Sequence, residues 1–142
     1  MRALLDVNVL IALLDENHAH HATVSDWFSG HIEHGWASCP LTQNGCVRIV
    51  SQPRYPNALG VADAVARLKD AVSTPWHQFL PDDVSLLDDS VVDRRQLLGP
   101  RQLTDVYLLA LAVAHGVRLV TLDKSVSVVA VRGAREDHLA VI

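Results

Sequence analysis

The sequence predicts an α/β domain in which a central, mostly parallel sheet of about five strands lies between two layers of helices. Short apolar runs (Ala3 to Leu5, Trp36 to Cys39, Val117 to Leu122) alternate with longer stretches of helical periodicity, and that alternation implies right-handed crossovers and a parallel sheet covered on both faces. The 142 residues are 49% hydrophobic with a mean hydropathy of +0.18, enough for one sizeable core, so a single domain over residues 1–142 is expected. Acidic residues also stand where apolar runs end, the position at which open α/β sheets bind their ligands.

Charge and cysteine usage narrow the function. A net charge of -4 and an isoelectric point near 6.0 argue against a chain coated in nucleic-acid-binding charge, yet leave room for a local basic rim. The apolar runs are too short to span a bilayer and the start lacks the pattern of a signal peptide, so a cytoplasmic protein is expected, with no membrane partner. Cys39 and Cys46 show no CxxC spacing and read as reduced, buried thiols rather than a zinc site.

Along the chain, Ala3 to Leu5 read as a strand buried on both faces and Val9 to Leu14 as a largely buried helix, with Asp6 at the junction. Asp6 is either a helix cap or part of a site. His18, His20 and His21 open a second helix that carries Val24, Trp27 and Phe28 inward and stops at Gly30. His18 and His21 could share a face, but with no cysteine nearby they read as a polar helix entrance. Trp36 to Cys39 form the second strand, Pro40 punctuates it, and Thr42 caps a helix through Cys46, Val47, Ile49 and Val50. Ser51 to Asn57 is a loop, and Val61 to Val72 a packing helix with Val61, Ala64, Val65 and Leu68 inward.

Ser73 to Asp83 reads as an ordered loop leading to a third strand at Val84 to Leu87. Asp88 to Ser90 look like the start of a helix over Val91 to Leu98, ended by Gly99 and Pro100. Thr104 and Asp105 begin the most apolar helix, Val106 to His115, closed by Gly116. Val117 to Leu122 form the fourth strand, followed by Asp123, and Leu139 to Ile142 supply a fifth.

Asp6, Asp105 and Asp123 are thus each bordered by strongly apolar sequence, and they converge on one crevice if strands one and four are neighbours. Carboxylates about 4 Å apart repel by roughly 4 kcal/mol at an effective dielectric near 20, so such a cluster calls for a cation or bound protons. Oxygen-only ligands favour Mg²⁺ or Mn²⁺, and phosphodiester hydrolysis is the chemistry that follows.

The same residues carry a family resemblance. Leu5-Asp6-Val7-Asn8-Val9-Leu10-Ile11-Ala12, Thr104-Asp105-Val106-Tyr107-Leu108-Leu109-Ala110 and Val120-Thr121-Leu122-Asp123 resemble, in order, the signatures of the PIN domain, and specifically of the VapC toxins of toxin–antitoxin pairs. The resemblance covers essentially the whole chain. His18 to His21 with Trp27, and Gly45 with Arg48, are similar to further VapC positions.

The resemblance implies a Mg²⁺- or Mn²⁺-dependent endoribonuclease with a PIN-like three-layer α/β/α fold. It would be silenced by a cognate VapB antitoxin, usually homodimeric, and would cut transfer or ribosomal RNA to leave a 3′-hydroxyl and a 5′-phosphate. Asp6, Asp105 and Asp123 take the catalytic and metal positions, and Asn8 and Thr121 those of residues that orient them. The family usually has a fourth acidic residue early in the helix after strand two. That position reads here as Gln43, an uncharged neighbour of the metal, which leaves a catalytically weakened, antitoxin-binding PIN protein as the alternative. A HAD-type phosphatase would need a second aspartate where Asn8 stands. Basic residues available to RNA are Arg48, Arg54, Arg94, Arg95, Lys124, Arg132 and Arg135, and Arg48, on the helix that carries Gln43, is the one assigned to phosphate.

Overall fold

Side-chain alternation along the first strand divides the core in two. In the computed structural model, which describes all 142 residues, β1 (Ala3–Leu5) sends Leu4 into one apolar cluster and Ala3 and Leu5 into the other. A strand buried on both faces must be apolar at every position, which is why this one shows no polar alternation. One cluster is covered by α1 (Val7–Leu14), α2 (His21–His31), α3 (Pro40–Val50) and α4 (Val61–Val72). The other is covered by α5 (Leu103–Ala114), in which Val106, Leu108, Leu109, Ala110, Leu111 and Ala112 are all buried.

The remaining strands are β2 (Trp36–Ser38), β3 (His77–Phe79), β4 (Arg118–Thr121) and β5 (Leu139–Val141). All pairings are parallel, in the order β3-β2-β1-β4-β5. The chain moves from β1 to β2 on one side and places β4 on the other, so the order reverses at β1, and the crevice of an open α/β sheet lies at such a point. Gly116, at φ +64°, makes the turn from α5 into β4 in a conformation that costs a side-chain-bearing residue energy. No helix is long and apolar enough to cross a membrane.

Local chemistry explains where the helices begin. Asp6 caps α1, with Val7 N donating to its Oδ1 at 2.6 Å. Helix α3 starts at Pro40, suited to a first turn that needs no N–H. Thr42, expected as its cap, is instead the third helical residue and folds back, accepting from Cys39 N at 3.0 Å and donating to Cys39 O at 3.1 Å. Gly45 lets α3 approach α1, since a Cβ there would lie 2.9 Å from Val7 Cγ2.

Three expectations are corrected. The third strand is His77–Phe79 rather than Val84 to Leu87. An edge strand is recruited by backbone pairing to β2 more than by its own apolar pattern, and Leu80, fully buried beyond it, anchors the segment, while Leu87 is 91% exposed. No α-helix forms over Val91 to Leu98. Buried Val92 instead bridges Val131, with Asp93 N donating to Ala130 O and Arg132 N to Val91 O, so the segment seals α5 as extended chain, followed by a single 3-10 turn at Arg94–Gln96. On α4 only Ala64 and Leu68 are buried, and Val61 and Val65 face outward, 61% and 49% exposed.

Candidate active site

Asp6, Asp105 and Asp123 line one open crevice of about 700 Å³ at the carboxyl ends of the strands. Each is delivered by a different element: Asp6 by the end of β1, Asp105 by the first turn of α5, Asp123 by the turn after β4. The pairing of β1 with β4 brings the first and third together, and Asp6 N continues that ladder by donating to Val120 O at 3.0 Å.

Asp6 is held most firmly. Only 7% exposed, it takes Val7 N on Oδ1 and the Thr121 hydroxyl on Oδ2, at 2.9 Å. Burial raises its pKa against the pull of those hydrogen bonds, and the charge of Asp123 adds to the rise. Thr121, itself fully buried, also accepts from Asp123 N at 3.1 Å, so one hydroxyl fixes two of the carboxylate-bearing segments. Asp105 is pushed up to about 6 by burial first, then by the charges of Asp6 and Asp123. Asp123 goes the other way, held low by Ser125, whose hydroxyl and backbone N–H both donate to its Oδ1 at 2.7 and 2.8 Å. The crevice therefore combines one carboxyl poised near neutrality with one firmly ionised.

Not every expected residue belongs. Gln43 is not among the residues that line the crevice: its Nε2 donates to buried Ser38 Oγ at 2.9 Å, and it borders a separate groove together with Asn44, Val65 and Lys69. One residue on, the 100° step of the helix turns Asn44 into the crevice wall, with Leu41 and Arg48 on the same face three and four residues away. The uncharged position beside the carboxylates is thus Asn44. Asn8 lies on the crevice wall, exposed, with no hydrogen bond to a carboxylate, so it does not orient Asp6. Arg48 lines the crevice as expected.

Asp82 was missed. It lines the same crevice and accepts from Leu41 N at 3.0 Å, fastening the start of α3. Once β3 is placed at His77–Phe79, Asp82 stands just past a strand end, as Asp6 and Asp123 do, and the misplacement of that strand is what concealed it. Tyr107 beside it has its pKa raised by burial and then by the Asp82 charge.

The histidines serve helix entry. His21 Nδ1 lies 2.7 Å from Ala12 O and its Nε2 is 3.2 Å from Ser25 Oγ, while His18 Nδ1 accepts from His20 N. Cys39 and Cys46 are free and buried, with burial pushing Cys46 up to about 11. The groups that could hold a cation are therefore the crevice carboxylates. No three acidic, histidine or cysteine side chains stand close enough together to hold a metal ion between them.

Comparison with known proteins shows the family. The PIN-domain family model matches residues 3–132. The chain is 55% identical over all 142 residues, covering 100% of both chains, to Ribonuclease VapC44 of Mycobacterium tuberculosis. It is 49% identical over 125 residues to Ribonuclease VapC38 of the same organism, covering 87% of this chain and 86% of that one. Among solved structures, a chain in the crystal structure of VapBC2 from Rickettsia felis, bound to a DNA fragment from their promoter, superposes with a TM-score of 0.61. It covers 88% of this chain and 90% of that one at 13% identity, a likeness of fold. With the family model, the full-length relatives and the ordered carboxylates in agreement, the chain belongs to the PIN-domain family, in its VapC ribonuclease branch.

Proposed function

We propose that this protein is the toxin of a type II toxin–antitoxin pair, a Mg²⁺- or Mn²⁺-dependent endoribonuclease that hydrolyses phosphodiester bonds of transfer or ribosomal RNA until a VapB-type antitoxin silences it. The observation that carries the reading is the meeting of Asp6, Asp105 and Asp123 in one crevice at the switch point of the sheet. The donor set suits a hard divalent ion, being all oxygen and gathering several carboxylates in one crevice. Asp6 and Asp105 would hold the ion. When bound, such an ion supplies positive charge against the phosphate and makes water more acidic.

The chain's own residues do the rest. Thr121 keeps Asp6 in one rotamer, so its position does not depend on substrate. Asp123 is held in its charged form by Ser125 and keeps Oδ2 free of intrachain hydrogen bonds, ready to orient the attacking water. Arg48 neutralises an approaching phosphate at the crevice rim. Val61 and Val65, exposed along α4, supply an apolar surface for the homodimer.

The reading is tested by sequencing RNA 5′ ends after brief induction of the parent and of Asp105→Asn. New ends confined to the parent name the substrate, and identical ends in both would remove Asp105 from the site. Co-expression of the small protein encoded beside this one should erase those ends. Asn44 bears on the rival, a weakened antitoxin-binding module, because α3 adds no carboxylate of its own to Asp6, Asp82, Asp105 and Asp123 around the crevice. Adding a charge on the crevice wall strengthens attraction for a divalent ion before repulsion among carboxylates offsets part of it, so Asn44→Asp is expected to tighten Mn²⁺ binding about tenfold. Gln43→Glu, facing Ser38, leaves affinity unchanged. A calorimetric titration in which Gln43→Glu binds tighter and Asn44→Asp does not would reverse the assignment.

A further inference from the structure

Asp105 and Asp123 are shared by two depressions. Beyond them, on the side away from α3, a second groove of about 530 Å³ continues the crevice between the 3-10 turn Pro100–Gln102 and the segment Ser125–Ala130. The volume lies within the range of about 300–1,000 Å³ typical of ligand sites. Its floor is fixed from within the chain. Gln102 Oε1 accepts from Leu98 N and Gly99 N, its Nε2 donates to Gln96 O, and Ser127 Oγ accepts from Val129 N. Leu98 and Val129 stand exposed at 84% and 63% on opposite segments of the groove.

The free cation in this groove is Arg101. It lies four residues before Asp105, where the 3-10 turn runs directly into α5, so it shares a helical face with that carboxylate. It nonetheless joins no ion pair, and Arg48 on the opposite side of the carboxylates joins none either. Among the other basic candidates nearby, Lys124 next to Asp123 is also unpaired but does not line the groove, while Arg94 is committed to Asp89, Arg95 to Asp93, Arg135 to Asp137, and Arg132 to the backbone carbonyl of Asp89.

We propose that this groove is a nucleotide-binding subsite, in which Arg101 holds the phosphate of a single-stranded RNA on the side of the scissile bond opposite to Arg48. The inference rests on the ribonuclease reading and adds the path of the strand. RNA enters over Arg48, crosses Asp6, Asp105 and Asp123, and leaves over Arg101, with Leu98 and Val129 offering apolar surface to an unstacked base. Charge complementarity favours nucleic acid here. A polyanion crossing an acidic floor needs a cation on each side of it, and the two unpaired arginines occupy those positions.

The test measures binding and cleavage separately. Asp6→Asn, whose substitution lies outside the groove, serves as the inactive background, with a labelled, randomised-sequence single-stranded 20-mer RNA as the probe in a KCl titration. Each phosphate contact on single strands contributes about 0.7 to the slope of log K against log salt. Adding Arg101→Ala should lower the slope by about that amount and weaken binding on the order of fivefold. Arg101→Lys should keep the slope, and Arg48→Ala combined with Arg101→Ala should lose about twice as much. In the active protein, trimming an RNA substrate from one end only should slow the parent and leave Arg101→Ala unaffected by the same trimming. An unchanged slope with normal cleavage overturns the subsite and leaves the ribonuclease reading standing. A parent that neither binds nor cuts RNA overturns both. Loss of antitoxin binding in Arg101→Ala with RNA binding intact gives the groove to the protein partner and likewise overturns the proposal.

Discussion

Asp6→Asn is expected to give a protein that melts higher than the parent and no longer cleaves RNA. Burial is what raises the Asp6 pKa, so at neutral pH the fold carries a charge that its surroundings disfavour. Above the ordinary carboxylate range that charge is a cost present in the folded state and nearly absent from the unfolded chain. Asparagine keeps the shape. Its Oδ1 still accepts from Val7 N, and its amide can donate to Thr121 Oγ1, which already accepts from Asp123 N. Stability therefore rises by a few degrees in Tm. The carboxylate is also the group most firmly aimed into the crevice, and losing one preorganised charge of this kind costs at least about a hundredfold in rate. Thermal melts and cleavage assays on the same preparations decide it. A lower Tm with activity intact would mean that Asp6 is only a helix cap.

That dual character shows how much of the site was legible in the sequence. Asp6, Asp105 and Asp123 stood out because each interrupts or borders an apolar run, and apolar runs report burial whatever the tertiary arrangement. Thr121 came from the family resemblance alone, and the structure places its hydroxyl against both Asp6 Oδ2 and Asp123 N. Gln43 was misplaced by one residue. On a helix such an error turns a side chain through about 100°, enough to exchange the crevice for the Ser38 side of α3. Asp82 and β3 were lost together, because His77–Phe79 pairs through its backbone and carries little apolar signal of its own. The segment Val91 to Leu98 imitated a helix start, and only the distant Val131 makes it extended. Local pattern thus located what lies at the ends of buried strands, and failed where an edge strand or a long-range bridge decided the conformation.

Divalent metal is expected to stabilise the fold strongly at pH 8 and hardly at all at pH 5, with Asp105 setting the crossover. Its carboxyl, ordinarily at 3.8, is pushed up to about 6 by burial and by Asp6 and Asp123. A folded-state pKa above the unfolded value means that the folded protein binds the extra proton between those two limits. The associated stability is complete below the lower one and is lost as pH rises through about 6. Because Asp105 is partly exposed, solvent screening reduces that loss to on the order of 1 kcal/mol. Asp123, shifted down by Ser125, titrates below this window and does not oppose the trend within it. A cation competes for the same oxygens as the proton, so apparent metal affinity should fall about tenfold for each pH unit below 6. Cleavage at limiting Mn²⁺ should follow, rising with pH to a plateau above about 6, and saturating metal should move the midpoint lower. In Asp105→Asn the pH dependence of the metal-induced shift in Tm weakens, and what remains comes from Asp6, whose pKa burial also raises. A shift in Tm of equal size at pH 5 and pH 8, or one that Asp105→Asn leaves unchanged, would place the ion away from Asp105 and break the assignment of the crevice.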